Sequence, residues 1–343
     1  MSTYADLELA IRARVPLIAL VTPEEGRAER RLLQPIAREW RDGRLFAWTT
    51  TRGYYSLGDE AGDEHVRFAA PDPLSALDVV AAYEEPALFV LKDFHHYLEN
   101  AAVLRKLRDL AVDLVPTGKH ILFLGPRFRV PEDLEKEVQV VDYPPPGLDE
   151  LSELLTGMEE ALGEEAVEQL SPGGRERLLK AALGLTLTEA EAVLSKALVR
   201  DGALTDAGVD LVLGEKKQIV RRSGILEFYE AQEELEDVGG LGSLKSWLTR
   251  RHDAFSEEAR LYGLPVPKGI LLLGIQGCGK SLVAKAVSRA WKMPLLRLDV
   301  GRVFGKYIGE SEGAIRRVAQ TAEAVAPAIL WIDELEKGFA GAS

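Results

Sequence analysis

Cysteine is nearly absent: Cys278 is the single one in 343 residues. One thiol excludes an intramolecular disulfide and suits a reducing compartment, the cytosol or a plastid stroma. Long apolar runs are missing too. None approaches the roughly 20 residues that span a bilayer, and Val15 to Val21 is too short and lacks the small-residue cleavage pattern of a secretory leader. The expectation is a soluble, cytoplasmic or stromal protein. Positive charge is in short supply, with 42 Lys+Arg against 55 Asp+Glu, a formal net charge of −13, and a pI near 5.1. That balance leaves no electrostatic footprint for nucleic acid or anionic lipid. The acidity is local: residues 1 to 223 hold 27 Lys+Arg against 39 Asp+Glu, while 224 to 343 hold 15 against 16. The basic cluster Lys216-Lys-Gln-Ile-Val-Arg-Arg reads as a solvated helix end or linker. His95 and His96 are adjacent with no partner at i+4, so no metal site is expected there.

What the chain does hold is concentrated at residues 269 to 281, where an apolar run feeds Gly274-Ile275-Gln276-Gly277-Cys278-Gly279-Lys280-Ser281. This G-x-x-x-x-G-K-S spacing is a phosphate-binding loop. Glycines let successive backbone N–H groups turn inward toward phosphate oxygens, and a helix opening at Lys280 adds its positive end. Lys280 is expected to reach the β and γ phosphates and the Ser281 hydroxyl to ligate Mg²⁺, with Leu282 the last of the nucleotide-binding positions. Cys278 reads as a small residue filling the loop, or as a thiol whose oxidation would block nucleotide. About fifty residues on, the apolar run Ala328 to Ile332 ends in Asp333-Glu334. Two carboxylates at a strand end suit ATP hydrolysis, Asp333 for Mg²⁺ and Glu334 to polarise the attacking water.

The first part alternates strands and helices. Strands are expected at 15–21, 44–50, 87–91, 120–124 and 138–143, with helices at 27–40, 74–83 and 97–115. After the first strand Thr22-Pro-Glu-Glu-Gly-Arg-Ala lacks the glycines, lysine and hydroxyl of a nucleotide site, and Asp93 stands after the third where a Mg²⁺-binding carboxylate would sit. Phe94 follows it and supplies no base, so Asp93 is read as a relic or a helix cap. From Pro144 the pattern turns helical, with helices expected at 148–162, 165–170, 172–183, 188–200 and 206–219. Beyond it, 227–235 is expected as helix, 243–262 as helix, a strand leads into the phosphate loop, 295–300 is a strand and 314–325 a helix.

On these residues the stretch 237 to 339 resembles the N-terminal portion of an AAA-type ATPase module, through Asp237-Val-Gly-Gly-Leu, Pro267-Lys-Gly-Ile-Leu-Leu-Leu-Gly, the phosphate loop, Lys306-Tyr-Ile-Gly-Glu-Ser-Glu and Ile329-Leu-Trp-Ile-Asp-Glu. Ile275-Gln276 and Cys278 depart from the loop most members carry. With Gly184-Leu-Thr-Leu-Thr-Glu-Ala-Glu and Lys216 to Tyr229, they are similar to the ycf-type AAA proteins, hypothetical chloroplast reading frame products of cyanobacteria and plastids. The resemblance implies an α/β P-loop NTPase sheet of AAA type over residues 223–343, a degenerate AAA-like α/β domain over 1–147 and a lid-like helical subdomain over 148–222. It implies ATP and Mg²⁺ as ligands, Asp237 and Gly239 as adenine contacts, and Lys306 and Tyr307 as a pore loop gripping a polypeptide in a hexameric ring. The expected partner is therefore a protein, with a nucleotide-gated scaffold of little turnover as the alternative. The family's sensor strand, arginine finger and lid would follow Glu334, whereas nine residues do. The expectation is a chain truncated relative to its family, binding nucleotide weakly and turning none over by itself.

Overall fold

In the computed structural model the described residues are 3–40, 44–57, 70–162, 170–171, 173–229, 233–251, 254, 259, 262–265, 267–275, 277–291, 293–300, 315, 318–319, 321–323 and 325–335. The chain divides into two compact units, Met1–Pro144 and Pro145–Ser343.

In the first unit, strands β1 (Leu17–Val21), β2 (Arg44–Thr49), β3 (Gly53–Ser56), β4 (Ala87–Lys92), β5 (Lys119–Gly125) and β6 (Val138–Asp142) form one sheet in the order β3-β2-β4-β5-β1-β6. All pairings are parallel except the hairpin of β2 with β3. Near-continuous apolar residues put these strands at the centre, because helices cover both faces. Alternate residues divide between two cores. Leu17, Ala19, Phe89, Leu91, Ile121 and Phe123 face Leu77 and Val80 of the helix Pro73–Ala82 and Leu107 and Leu110 of the helix Ala101–Asp113. Ile18, Leu20, Leu88, Val90, Leu122 and Leu124 face Leu7 and Ile11 of α1 (Thr3–Arg12) and the helical segment that runs from Glu25 to Glu39. That segment begins as an α-turn at Glu25–Ala28, passes through a π-helical turn at Glu29–Leu33 and resumes as α at Gln34–Glu39. The five expected strands are present. The sixth, β3, was not expected: it is only four residues long and turns back through Gly53 at φ 67°.

In the second unit, four helices of the described residues bury Leu151, Leu155, Leu178, Val193, Leu194 and Val212 together: Leu148–Leu162, Gly174–Ala182, Leu187–Asp201 and Gly208–Ser223. The third of these starts in a capping box in which Thr186 accepts from the Glu189 N–H and the Glu189 carboxylate accepts from the Thr186 N–H. The last packs Val220 against Leu226, Leu296 and Leu298 of a small sheet. That sheet runs β7 (Leu226–Tyr229), β8 (Leu295–Leu298), β9 (Ile329–Ile332), with β7 antiparallel and β9 parallel to β8.

Two expectations are corrected here. The helix expected at 227–235 does not begin as one: Glu227, Phe228 and Tyr229 belong to β7 and pair with β8, so the ladder to a strand distant in sequence wins over an acidic composition that favours helix, while 230–232 lie outside the described residues. The run before the phosphate loop, 269–275, is not a strand and joins no ladder among the described residues. It lies open, Leu271 at 71% and Leu273 at 84% exposure. A strand is made by its neighbours, and apolar content without one does not close a ladder.

Candidate functional site

The phosphate loop is shaped by its glycines. Gly277 (φ 83°) and Gly279 (φ 88°) occupy left-handed conformations that a side chain would strain. Gly274 is needed for space instead, since a Cβ there would lie 2.6 Å from the Cys278 sulfur. The following helix, Lys280–Ala290, opens on Gly279 with no side-chain cap, and the first helical bond runs from the Val283 N–H to the Gly279 carbonyl at 3.0 Å. The N–H groups of Lys280, Ser281 and Leu282 thus precede the first intrahelical donor, Val283. Lys280 folds back over the loop, its Nζ donating to the carbonyls of Gly274 (2.8 Å) and Ile275 (2.9 Å) and standing 3.8 Å from the Cys278 sulfur. A free ammonium on two neutral carbonyls beside open amide donors fits a polyphosphate, which would replace both contacts with stronger, charge-assisted ones.

The loop helix is held by its buried face. Val283, Ala286 and Val287 pack with Val238, Leu248 and Ile329, which sets both the segment containing Asp237 and Gly239 and the start of β9 against it. Lys285 pairs with Glu233 at 3.0 Å and lies over the Tyr229 ring at 4.4 Å, and Arg289 pairs with Glu234 at 3.0 Å. Bonds to Tyr229 and Glu233 hold Lys285 above the usual lysine range. Asp237 caps its own short turn, accepting from the Glu234 N–H at 2.8 Å, while Gly239 stands in open space. Asp333 and Glu334 follow β9 directly. Glu334 takes a left-handed conformation at φ 53°, unusual for a non-glycine residue, and its N–H donates to Asp333 Oδ1 at 3.1 Å. The structure thus gathers Gly274, Ile275, Cys278 and Lys280 into one cluster and Asp333 with Glu334 into another, on elements that share a core. Gln276, Lys306 and Tyr307 lie outside the described residues.

The corresponding loop of the first unit is filled with charge that sequence reasoning missed. Thr22 to Glu24 leave β1, and the Glu24 N–H donates to Thr22 Oγ1 at 3.1 Å. Arg27 donates to Glu24 Oε2 at 2.9 Å and to the Pro144 carbonyl at 2.6 Å, and its guanidinium lies 4.1 Å from the centre of the Tyr143 ring. Both side chains of the pair are buried, at 4% and 6% exposure. Lys92, at the end of β4, makes ion pairs with Glu29 and, at 3.3 Å, with Glu25. Burial alone would lower its pKa, but hydrogen bonds to Glu29 and Tyr55 more than offset that and hold it above the ordinary lysine range. The available signal was the i, i+3 spacing of Glu24 and Arg27 and the i, i+4 spacing of Glu25 and Glu29.

The strand end corrects the reading of Asp93. Asp93 follows Lys92 at φ 53°, as Glu334 follows Asp333 at φ 53°. Backbone register therefore matches Asp93 with Glu334 and places Lys92, not Asp93, where the second unit has Asp333. Asp93, His95 and His96 bring ligand-type atoms within 4.8 Å of one another. The imidazoles stack 4.1 Å apart at 35°, and burial lowers the His95 pKa, with His96 adding to the drop, Asp93 opposing it and Arg127 adding a smaller part.

Residues 3–143 match the model of the SpoVK-like AAA ATPase N-terminal domain, 149–223 that of the SpoVK-like AAA ATPase second domain, and 270–342 that of the ATPase family associated with various cellular activities (AAA). The chain is similar to the uncharacterized AAA domain-containing protein ycf46 of Guillardia theta, 39% identical over 100% of the chain and 66% of the relative. It is 34% identical to the ycf46 protein of Pyropia yezoensis, over 99% of the chain and 68% of the relative. A shorter match, 36% identical over 29% of the chain and 12% of the relative, is to ATPase family gene 2 protein homolog A of Homo sapiens. The chain spans about two thirds of the length of the ycf46 relatives, at 66% and 68%.

Proposed function

The chain belongs to the family of ycf46-type AAA domain-containing proteins, and from that premise we propose that the whole protein binds ATP with Mg²⁺ at Gly274 to Leu282, hydrolyses it, and uses the turnover to reshape a protein partner within an oligomeric ring. One observation carries the reading: the Lys280 ammonium rests on the Gly274 and Ile275 carbonyls at the mouth of an uncapped helix. Nucleotide phosphates would take the backbone N–H groups from Gly277 to Leu282, and Lys280 would leave the two carbonyls for the β and γ oxygens. Ser281 and Asp333 would hold Mg²⁺, which supplies positive charge to the polyphosphate when bound. Glu334, carried clear of the strand by its left-handed backbone, would accept the proton of the attacking water. Asp237 and Gly239 would line the adenine, and Lys306 and Tyr307 would grip the polypeptide. The division into 1–147, 148–222 and 223–343 belongs to the same proposal, as does a cytoplasmic or stromal location.

The measurement is ATP turnover by the whole protein. Glu334→Gln should lower turnover by about 10²- to 10³-fold while leaving nucleotide binding intact, and Lys280→Ala should lose binding; undiminished turnover in Glu334→Gln overturns the reading. A second reading, a nucleotide-gated scaffold, draws support from the acidic first unit whose own loop is filled. It is favoured if Tyr307→Ala leaves partner processing unchanged with ATP binding intact.

A further inference from the structure

In the second unit the loop after Gly274 and the carboxylate at the end of β9 are the two halves of a site for phosphate and cation. The first unit has both positions in the same chain order: a loop leaves β1 and leads into a helical segment, as Gly274 to Gly279 lead into Lys280–Ala290, and Lys92 ends β4, which pairs in parallel with β2 as β9 does with β8. Each is occupied by a side chain of the charge that a ligand would bring. At the loop, where an anion would be cradled, Glu24 puts a carboxylate against Arg27, in the first turn of the following helical segment. At the strand end, where the second unit would use Asp333 to hold a cation, Lys92 puts an ammonium between Glu25 and Glu29. That bridge joins the strand end to the segment after the loop, as Asp333 and Ser281 would together hold a metal ion.

Burial argues that these pairs are built rather than incidental. The Glu24–Arg27 pair is over nine-tenths buried on both sides. Taking two charges out of water is costly, so such a pair persists only where the surrounding groups complete it. Here the Pro144 carbonyl and the Tyr143 ring complete the guanidinium, and Thr22 Oγ1 accepts from the Glu24 N–H to hold the turn.

We propose that the first unit is a self-liganded nucleotide fold: the Glu24 carboxylate stands in the place of a phosphate and the Lys92 ammonium in the place of its metal ion, so that this copy holds a permanently filled site and takes no nucleotide. The state of the first unit is then independent of ATP, whatever the second unit does.

The test uses the chain with Lys280→Ala, which silences the second loop. In that background Glu24→Ala should lower the Tm by on the order of 10 °C, because the buried Arg27 guanidinium loses the Glu24 carboxylate. Millimolar inorganic phosphate or sulfate should recover at least half of the loss, and chloride at equal ionic strength should not. Glu24→Gln, which keeps the shape, serves if the alanine variant does not fold. Lys92→Ala should gain a Mg²⁺-dependent rise in Tm through Glu25 and Glu29, absent from the parent. The proposal is overturned if phosphate gives no specific recovery, if Glu24→Ala with Arg27→Met recovers equally, or if the Lys280→Ala parent takes up a fluorescent ATP analogue at one per chain. Because the readouts are on the first unit, they stand or fall apart from ATPase activity at Lys280.

Discussion

Strand β1 leads into the first unit's loop with Leu17, Ile18 and Leu20 wholly buried, whereas the run leading into the second loop exposes Leu271 at 71% and Leu273 at 84%. The loops differ in the same sense. In the first, a buried Arg27 guanidinium is committed to Glu24, Pro144 and Tyr143; in the second, Lys280 rests on two carbonyls that a phosphate would outcompete. One version of the loop uses its charges to complete a core, and the other keeps them exchangeable. The stability of a binding site and its availability therefore trade against each other.

The largest separation should appear in catalysis. In the whole protein Glu334→Gln should lower turnover by about 10²- to 10³-fold, with nucleotide affinity within about threefold of wild type by titration. No change in the first unit outside its core should approach that; a comparable loss of turnover from Asp93→Asn would break the asymmetry. Next in size is packing. Leu20→Ala should cost about 2–5 kcal/mol in urea unfolding, while Leu273→Ala in the chain of residues 1–343 should stay within about 0.5 kcal/mol. Equal costs would show that the second run is packed as the first is.

Two buried lysines sharpen the contrast. Lys119 of the first unit donates to three carbonyls, of Val80, Ala81 and Tyr83, at 2.9, 3.1 and 2.6 Å. Lys216 of the second donates to the Ala326 carbonyl at 3.3 Å, and burial pushes it from 10.5 down to about 8. The unfolded chain therefore holds this proton more tightly than the folded one, so stability should rise with pH between about 8 and 10.5 and be level in this term below 8. Lys216→Met should add about 2 kcal/mol at neutral pH and flatten that rise. A Lys216→Met variant with an unchanged pH slope would remove Lys216 as its source. The smallest effect concerns the loop itself. Gly274→Ala should weaken nucleotide binding by about tenfold through the clash with Cys278, and adding Cys278→Gly should restore most of it. Additive losses would place the cost in the backbone instead.

Much of this was legible in the chain. Five apolar runs predicted five of the six strands of the first sheet, since a run buried on both faces needs no alternation to be recognised. Gly277, Gly279 and Lys280 were legible because backbone freedom and charge are properties of the residues themselves. The strands β3 and β7 were not, because glycine and serine bound the one and an acidic stretch follows the other, whereas β8 and β9, equally short, stand out as apolar runs. Asp93 was misaligned by one residue: two strands ending in acidic residues look alike in sequence, and only the shared left-handed backbone sets their register.

By itself the sequence determined the family, the phosphate loop and the alternation of strand and helix, all of which follow from residue type at fixed spacing. Tertiary structure decided what those elements meet. Whether 269–275 is a strand depends on a neighbouring ladder, and whether Glu24 is a surface acid or the resident anion of a filled site depends on Arg27, Tyr143 and Pro144 closing around it. Pairing and burial belong to residues far apart in the chain, so no local pattern can state them.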